Sequence, residues 1–244
     1  MIKKISKRVH DFYLGIVKYP FYKNIFRTNA ASKLTIGKHV TIKNSEIYLS
    51  KDSELIIDEG CELNKVRLYI DGIVKIGKNN IIGNDEVSIG FRVNGSLVIG
   101  DFNKINCSIW SRFNSAVIIG DYNSINKGSE LRSDEKISIG DFNQISYNVM
   151  IWDTNTHNIY PYEKRRKLTI DKFPSIGYEY EKPKTEQVII MSDNWIGKNV
   201  SILKGTEIAN RCIVAYGCIL TNMSIDNNNT IITELNVKTI KNKI

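Results

Sequence analysis

Apolar residues recur every six positions near the C-terminus: Ile190, Ile196, Ile202, Ile208, Val214 and Leu220. Four residues after each stand Asn194, Val200, Thr206, Cys212, Cys218 and Ser224, nearly all small. An α-helix repeats every ~3.6 residues and a strand every two, so neither explains this spacing. A strict hexad describes a chain that makes the same flat side, then the same corner, again and again. That is a parallel β-helix, with the repeated apolar side chain filling a narrow shared core.

The repeats begin at about residue 33, with Leu34-Thr35-Ile36-Gly37-Lys38, and recur at Leu55-Ile56-Ile57 and Val74-Lys75-Ile76-Gly77-Lys78. Three closely matching units follow at a period of 20: Ile99-Gly100-Asp101-Phe102-Asn103, Ile119-Gly120-Asp121-Tyr122-Asn123 and Ile139-Gly140-Asp141-Phe142-Asn143. Three six-residue sides give 18, so these coils carry two extra residues at one corner. The glycine after each isoleucine is expected to turn the corner at positive φ, which it adopts without steric cost. Asn103, Asn123 and Asn143 are expected to stack as a ladder of hydrogen-bonding side chains.

Between Trp152 and Gln187 the repeat fails. This stretch holds Pro161, Pro174 and Pro183, the basic cluster Lys164-Arg165-Arg166-Lys167 and several aromatic residues. A long loop inside a regular solenoid is usually functional. The chain therefore divides into a basic helical arm (1–32), a β-helix (33–232) with an inserted loop (152–187), and a tail (233–244).

Charge changes the picture at one end only. The net charge is +8, and residues 1–30 hold seven lysines and arginines against Asp11 alone. Ile2, Ile5, Val9, Phe12 and Ile16 follow helical spacing within that arm, which reads first as a cap on the open end of the solenoid or a subunit contact. Peripheral contact with an anionic membrane surface is the other reading. No run is long and apolar enough to span a bilayer, and no nucleic-acid-binding module is present, so a cytoplasmic protein is expected. Cys61, Cys107, Cys212 and Cys218 lack the spacing of a zinc site or disulfide framework and read as buried, reduced thiols.

The Ile-Gly repeats, the loop Trp152-Asp153-Thr154-Asn155-Thr156-His157 and the segment Asn194-Trp195-Ile196-Gly197-Lys198-Asn199-Val200-Ser201-Ile202-Leu203-Lys204-Gly205 together resemble the hexapeptide-repeat acyltransferases. Within them the chain is similar to O-acetyltransferases of sugars and bacterial surface polysaccharides. The resemblance covers about residues 75 to 240. It implies a left-handed β-helix, a homotrimer with active sites between neighbouring prisms, acetyl-CoA as co-substrate and no metal. It also implies His157 as general base toward a sugar hydroxyl, with Asp153, Asn155 or a backbone carbonyl holding the other ring nitrogen.

Trp195 is expected to line the cleft, Lys198 and Lys204 to face CoA phosphates, and Ala215 and Gly217 to let CoA run along the backbone. The family's usual Gly-Asn-Pro-Ala turn is replaced by Thr233-Glu234-Leu235-Asn236, which makes Lys238 the candidate for the adenine end. Trp152, Tyr160, Arg165 and Arg166 are candidates for the acceptor, by stacking on sugar rings or pairing with acidic groups. Two other functions fit the repeats: an N-acetyltransferase of an amino-sugar nucleotide, and a non-catalytic solenoid.

Overall fold

The computed structural model describes residues 23–84, 86–177 and 179–233. Parallel strands wind into a three-sided prism, in agreement with the expected left-handed β-helix. The first face begins with Ile25–Thr28 and Glu46–Leu49 and ends with Ser201–Leu203 and Ile219–Leu220. The second runs from Lys33–Ile36 to Ser224–Ile225. Three long strands, Val66–Ile76, Ile89–Ile99 and Ser108–Ile119, bend from the first face into the second, so the two are continuous. The third face is a separate nine-stranded ladder from Thr41–Lys43 to Thr230–Ile231.

Registers are in phase through the hexads. Ile145, Ile196 and Val214 sit in line on the third face, and Ile151, Ile202 and Leu220 on the first. All six are buried in the single core, where each coil packs its branched side chains on the coil below. Alternate residues point outward, because side chains of a strand alternate between its faces.

The extra residues of the longer coils lie at the corner between the first and second faces. Eight positions separate Leu131 from Ile139, whereas six separate the equivalent Ile202 and Ile208. The inserted loop leaves the prism at this same corner, after Met150–Trp152, and returns at Val188–Ile190.

The asparagine ladder is longer than expected. Asn80 Oδ1 accepts the Asn103 amide at 2.8 Å, Asn103 that of Asn123 at 2.7 Å, Asn123 that of Asn143 at 2.9 Å and Asn143 that of Asn194 at 3.0 Å. Asn194 ends it on the Cys212 amide at 2.7 Å. These side chains are buried, so each satisfies a backbone donor that water does not reach.

The expected role of the Ile-Gly glycines is wrong. The positive φ falls two residues later, at Phe102 (57°), Tyr122 (56°) and Phe142 (56°). Gly100 and Gly120 are required for space instead: a β-carbon there would collide with Oδ1 of Asp121 and Asp141, one coil on. Those carboxylate oxygens accept the amides of Asp101 at 2.7 Å and Asp121 at 2.8 Å, so the glycine makes room for a second ladder. The displaced aromatics stack on the surface, Phe102 on Tyr122 at 5.0 Å and Tyr122 on Phe142 at 4.9 Å.

The first described strand corrects the expected helical arm of residues 1–32. Ile25–Thr28 already pairs with Glu46–Leu49, so the solenoid starts ahead of residue 33. The helical pattern of residues 2–16 and the tail from 234 on, Lys238 included, lie outside the described residues. All four cysteines are buried and free, and burial pushes the Cys107 thiol up to about 12. Among the described residues no helix is long and apolar enough to cross a membrane.

Candidate active site

The loop is bolted to the two coils that precede it. Asp153, its first residue, is fully buried and accepts from Ser133 Oγ at 2.6 Å and from the amides of Asp134 and Glu135 at 2.7 and 3.0 Å. Burial pushes its pKa up against those hydrogen bonds. Its carboxylate therefore braces the corner and does not hold His157, contrary to the expected role. Thr154 Oγ1 donates to Asp134 Oδ2 at 2.6 Å, and an antiparallel bridge between Thr154 and Thr185 closes the loop at its base.

Asp134 is the hub of this anchor. It is fully buried and takes both Arg112 Nε at 2.8 Å and Arg112 Nη2 at 2.6 Å, a bidentate pair. The same Nη2 donates to the Thr156 carbonyl at 3.1 Å, while the Thr156 amide donates to Thr154 Oγ1 at 3.0 Å. Thr156 needs both holds, because its φ is 65°, a left-handed conformation that β-branched residues avoid. Strain of this kind persists where surrounding contacts over-determine it, commonly beside a reactive group. The next residue is His157.

His157 Nδ1 lies 2.9 Å from Glu179 Oε1. Glu179 arrives on the returning limb of the loop, with its side chain almost wholly enclosed. It also accepts from Arg165 Nη2 at 2.6 Å and from Asn158 Nδ2 at 2.9 Å and its amide at 3.2 Å. Helix α1, Tyr162–Asp171, carries Arg165 to this position. Burial alone would raise the Glu179 pKa, but the donors of Arg165, His157 and Asn158 outweigh it and hold the group at about 2. A permanent carboxylate at Nδ1 fixes the proton there and leaves Nε2 as the basic lone pair. The ring is about half exposed, and no hydrogen bond to Nε2 is present among the described residues.

A cavity of about 510 Å³ lies on the first face beside the base of the loop, bounded by Met150, Trp152, Asn155, Leu203, Lys204 and Ile219. Asn155 joins it to the histidine, since the His157 amide donates to the Asn155 carbonyl at 2.7 Å. Trp152, Asn155, His157 and Lys204 are thus gathered at one corner.

Trp195, Lys198, Ala215 and Gly217 form a second group. Trp195 stands outward on the third face, 60% exposed, between Gln144 and Ile213. Lys198 and Gly217 follow at the corner between third and first faces, where the Gly217 amide donates to the Lys198 carbonyl at 3.1 Å. Gly197 packs on the backbone of Ala215 and Tyr216, leaving a smooth strip. In a triangular prism the corner that bears His157 is opposite the third face, so one copy of the chain does not bring the two groups together.

Two of the four candidate acceptor residues are spoken for inside the loop. Arg165 orients Glu179, and Tyr160 lies between Lys164 (3.9 Å) and Arg165 (5.0 Å) with its hydroxyl donating to Glu181 at 3.4 Å. Arg166 is exposed against Tyr162, and Trp152 faces the cavity. Glu179 went unrecognised in the sequence. Its only signal was that a basic imidazole needs an anionic partner and that the loop offers Glu179 and Glu181 near its end.

The bacterial transferase hexapeptide (six repeats) family matches residues 187–222. That segment spans the perfect hexads after the loop and less than half of the chain. A comparison with curated proteins gives no match. Solved structures similar to this chain include the polySia-specific acetyltransferase NeuO, at 21% identity over 85% of this chain and 80% of that one, with a TM-score of 0.48. The polysialic acid O-acetyltransferase OatWY follows at 18% identity, 88% and 93% coverage and a TM-score of 0.45. An Arabidopsis UDP-N-acetylglucosamine acyltransferase aligns at 12% identity, 83% and 67% coverage and a TM-score of 0.41.

Proposed function

We propose that the protein is an acyltransferase that moves an acetyl group from acetyl-CoA to a sugar hydroxyl of a bacterial surface glycan. The observation that carries this is the His157–Glu179 pair, half exposed and with no hydrogen bond to Nε2 among the described residues, on a loop whose first residues, Thr154 and Asn155, line a cavity of the prism. A sugar alcohol is a weak nucleophile at neutral pH. Nε2 accepts its proton as the oxygen bonds to the thioester carbon. The charge on the imidazolium is balanced by Glu179, which its donors keep ionised. As the carbon–sulfur bond breaks, the imidazolium returns the proton to the departing thiolate. A positioned base of this kind contributes about 10²–10⁴-fold.

The strip of Gly197, Ala215 and Gly217, flanked by the exposed Trp195 indole and Lys198, suits a long, thin co-substrate that ends in phosphates. Because this strip and His157 are on opposite sides of one prism, a second copy of the chain completes the site, and a closed trimer forms three such sites.

Subunit complementation tests the reading. His157→Ala and Trp195→Ala are each expected to lose acceptor-dependent CoA release, and hetero-oligomers reassembled from the two to regain part of it. No recovery in confirmed mixed oligomers overturns the shared site. Acceptor-dependent release that survives His157→Ala overturns the base.

A further inference from the structure

A line of outward side chains on the first face interleaves three arginines with four aromatic rings and ends at the cavity. The strand registers place Arg27, Tyr48, Tyr69 and Arg92 on successive coils, followed by Trp110, Arg132 and Trp152. Each rung meets the next. Arg27 lies over Tyr48 at 5.4 Å, Tyr48 stacks on Tyr69 at 4.6 Å, and Arg92 sits between Tyr69 (5.6 Å) and Trp110 (5.1 Å). Arg132 sits between Trp110 (5.5 Å) and Trp152 (5.7 Å). Six coil-to-coil steps at strand spacing make this track about 29 Å long.

The charge on this track is uncompensated by ion pairing. Three carboxylates border it: Glu46, which pairs with Arg67 at 3.5 Å and accepts from the Tyr48 hydroxyl at 3.1 Å; Asp71, which accepts from Ser50 Oγ and Asn94 Nδ2, both at 2.8 Å; and Glu130, two residues before Arg132, whose charge favours the Arg132 guanidinium. Among the described residues, Arg27, Arg92 and Arg132 form no ion pair with a carboxylate. At the N-terminal end the rungs form one wall of a cavity of about 500 Å³ that Asp71 and Asn94 also border. At the other end Arg132 Nε and Trp152 Nε1 are covered by their neighbours and have no acceptor. Glu130 Oε1, two residues before Arg132 on the same strand, is likewise buried without a partner, so this end of the track is a packed polar cluster and its exposed guanidinium edges are what a ligand meets. Trp152 belongs to both the track and the cavity at the base of the loop that carries His157.

We propose that this ladder binds an extended acidic polysaccharide, its carboxylates on Arg27, Arg92 and Arg132 and its sugar rings on Tyr48, Tyr69, Trp110 and Trp152, and leads it to His157. The inference rests on the acyl-transfer reading for the purpose of the binding, and it names the acceptor as an anionic polymer. The ring faces are taken up by the neighbouring rungs, so the rings offer their outward edges to the apolar C–H groups of sugars, and a guanidinium pairs with a carboxylate in bidentate fashion. A charged polymer laid over several coils gains from each successive contact, as linked binding units do. A neutral chain, or a single sugar, gains little.

Trp110 and Trp152 are built-in reporters. Their fluorescence is followed while the full-length protein is titrated with size-graded oligogalacturonates, oligosialates and hyaluronan, and with neutral maltooligosaccharides of matched length. At least one acidic series is expected to tighten with length until the track is filled and to weaken steeply with salt, while the neutral series shows no such trend. Arg92→Gln, far from His157, is expected to weaken long acidic chains about tenfold and leave a disaccharide unaffected. Arg92→Lys, which keeps the charge but loses the planar stack, is expected to fall between the two. Melting temperature and circular dichroism establish that each variant is folded.

Absence of binding by all three acidic series, affinity independent of length, or equal binding of neutral chains overturns the proposal. So does dissociation of Arg92→Gln into smaller oligomers, which would make this face a contact between copies. Failure of the acyl-transfer reading is seen separately, as loss of acetyl-CoA binding with glycan binding intact.

Discussion

Gly177 closes over the ring of His157: a β-carbon at residue 177 would stand 3.1 Å from His157 Cε1, and the glycine itself sits at a φ of 81°. The returning limb of the loop thus both delivers Glu179 to Nδ1 and limits where the imidazole can go. Gly177→Ala is expected to strain the backbone and push the ring off Glu179. Turnover should fall by about tenfold, which is about 1.4 kcal/mol of transition-state stabilisation, while the melting temperature of the prism changes little. Steady-state kinetics alongside circular dichroism make the comparison.

Glu179→Gln keeps the shape of the pair and removes its charge. Without the carboxylate, Nδ1–H is no longer enforced and the imidazolium is not balanced, so turnover is expected to drop by about 10² or more, with less change in KM. The pH behaviour follows from the sign of the shift. The folded-state pKa of Glu179 is depressed from 4.5 to about 2, so its contribution to stability is complete above about 4.5 and is lost as the pH falls from there toward 2. Proteolysis of the loop, followed against pH, should stay slow in mildly acidic buffer and accelerate only within that window. The Gln variant should show no such acid step.

Arg112→Ala leaves Asp134 buried without its counter-charge and frees the Thr156 carbonyl. Breaking a buried pair from one side costs about 3–5 kcal/mol. Chemical denaturation should show that loss. Activity should fall further than stability alone explains, since Thr156 would relax out of its left-handed conformation and carry His157 with it. Activity that tracks only the folded fraction would contradict this.

Gly120→Ala tests the second ladder. The added methyl collides with Asp141 Oδ1 and is expected to cost about 1–3 kcal/mol, although the φ at 120 is not in the left-handed region. Asp141→Ala costs the hydrogen bond to the Asp121 amide but removes the nearest clash, leaving the Gly140 backbone at 2.9 Å. The double variant should therefore be more stable than the two separate losses predict when added. Simple additivity in a denaturation cycle would show that the glycine is required for another reason.

The prism was legible because its signal is periodic: each hexad repeats the same demand for an inward apolar residue and a small corner residue. The asparagine ladder was visible for the same reason. The site was legible only in part. His157 stood out by its place in the loop, and the Trp195 segment by its hexads, because both carry local pattern. Glu179 did not, since its partner is 22 residues away across a fold of the loop that no period describes. Asp153 was misassigned because nearness in sequence was taken for nearness in space; the backbone turns it back onto Ser133 and Asp134. Arg165 reads as a surface cation until helix α1 lays it on a buried carboxylate.

The corner that varies in length between coils is also the corner from which the loop grows. A residue added within a flat side would reverse every later inward and outward position on it, and the core would be lost. A residue added at this corner shifts nothing, because the next side can begin its hexads afresh, as it does at Val188. The prism therefore behaves as a frame with one socket per storey. A segment between Asn158 and Lys184 can be exchanged or lengthened without redesign of the frame, at only the slowly rising entropy of a longer closed loop, so long as Arg112, Ser133 and Asp134 keep their holds on Asp153, Thr154 and Thr156. The outer part of the loop and the frame are then separable parts of this chain, joined through the Arg112–Asp134 anchor.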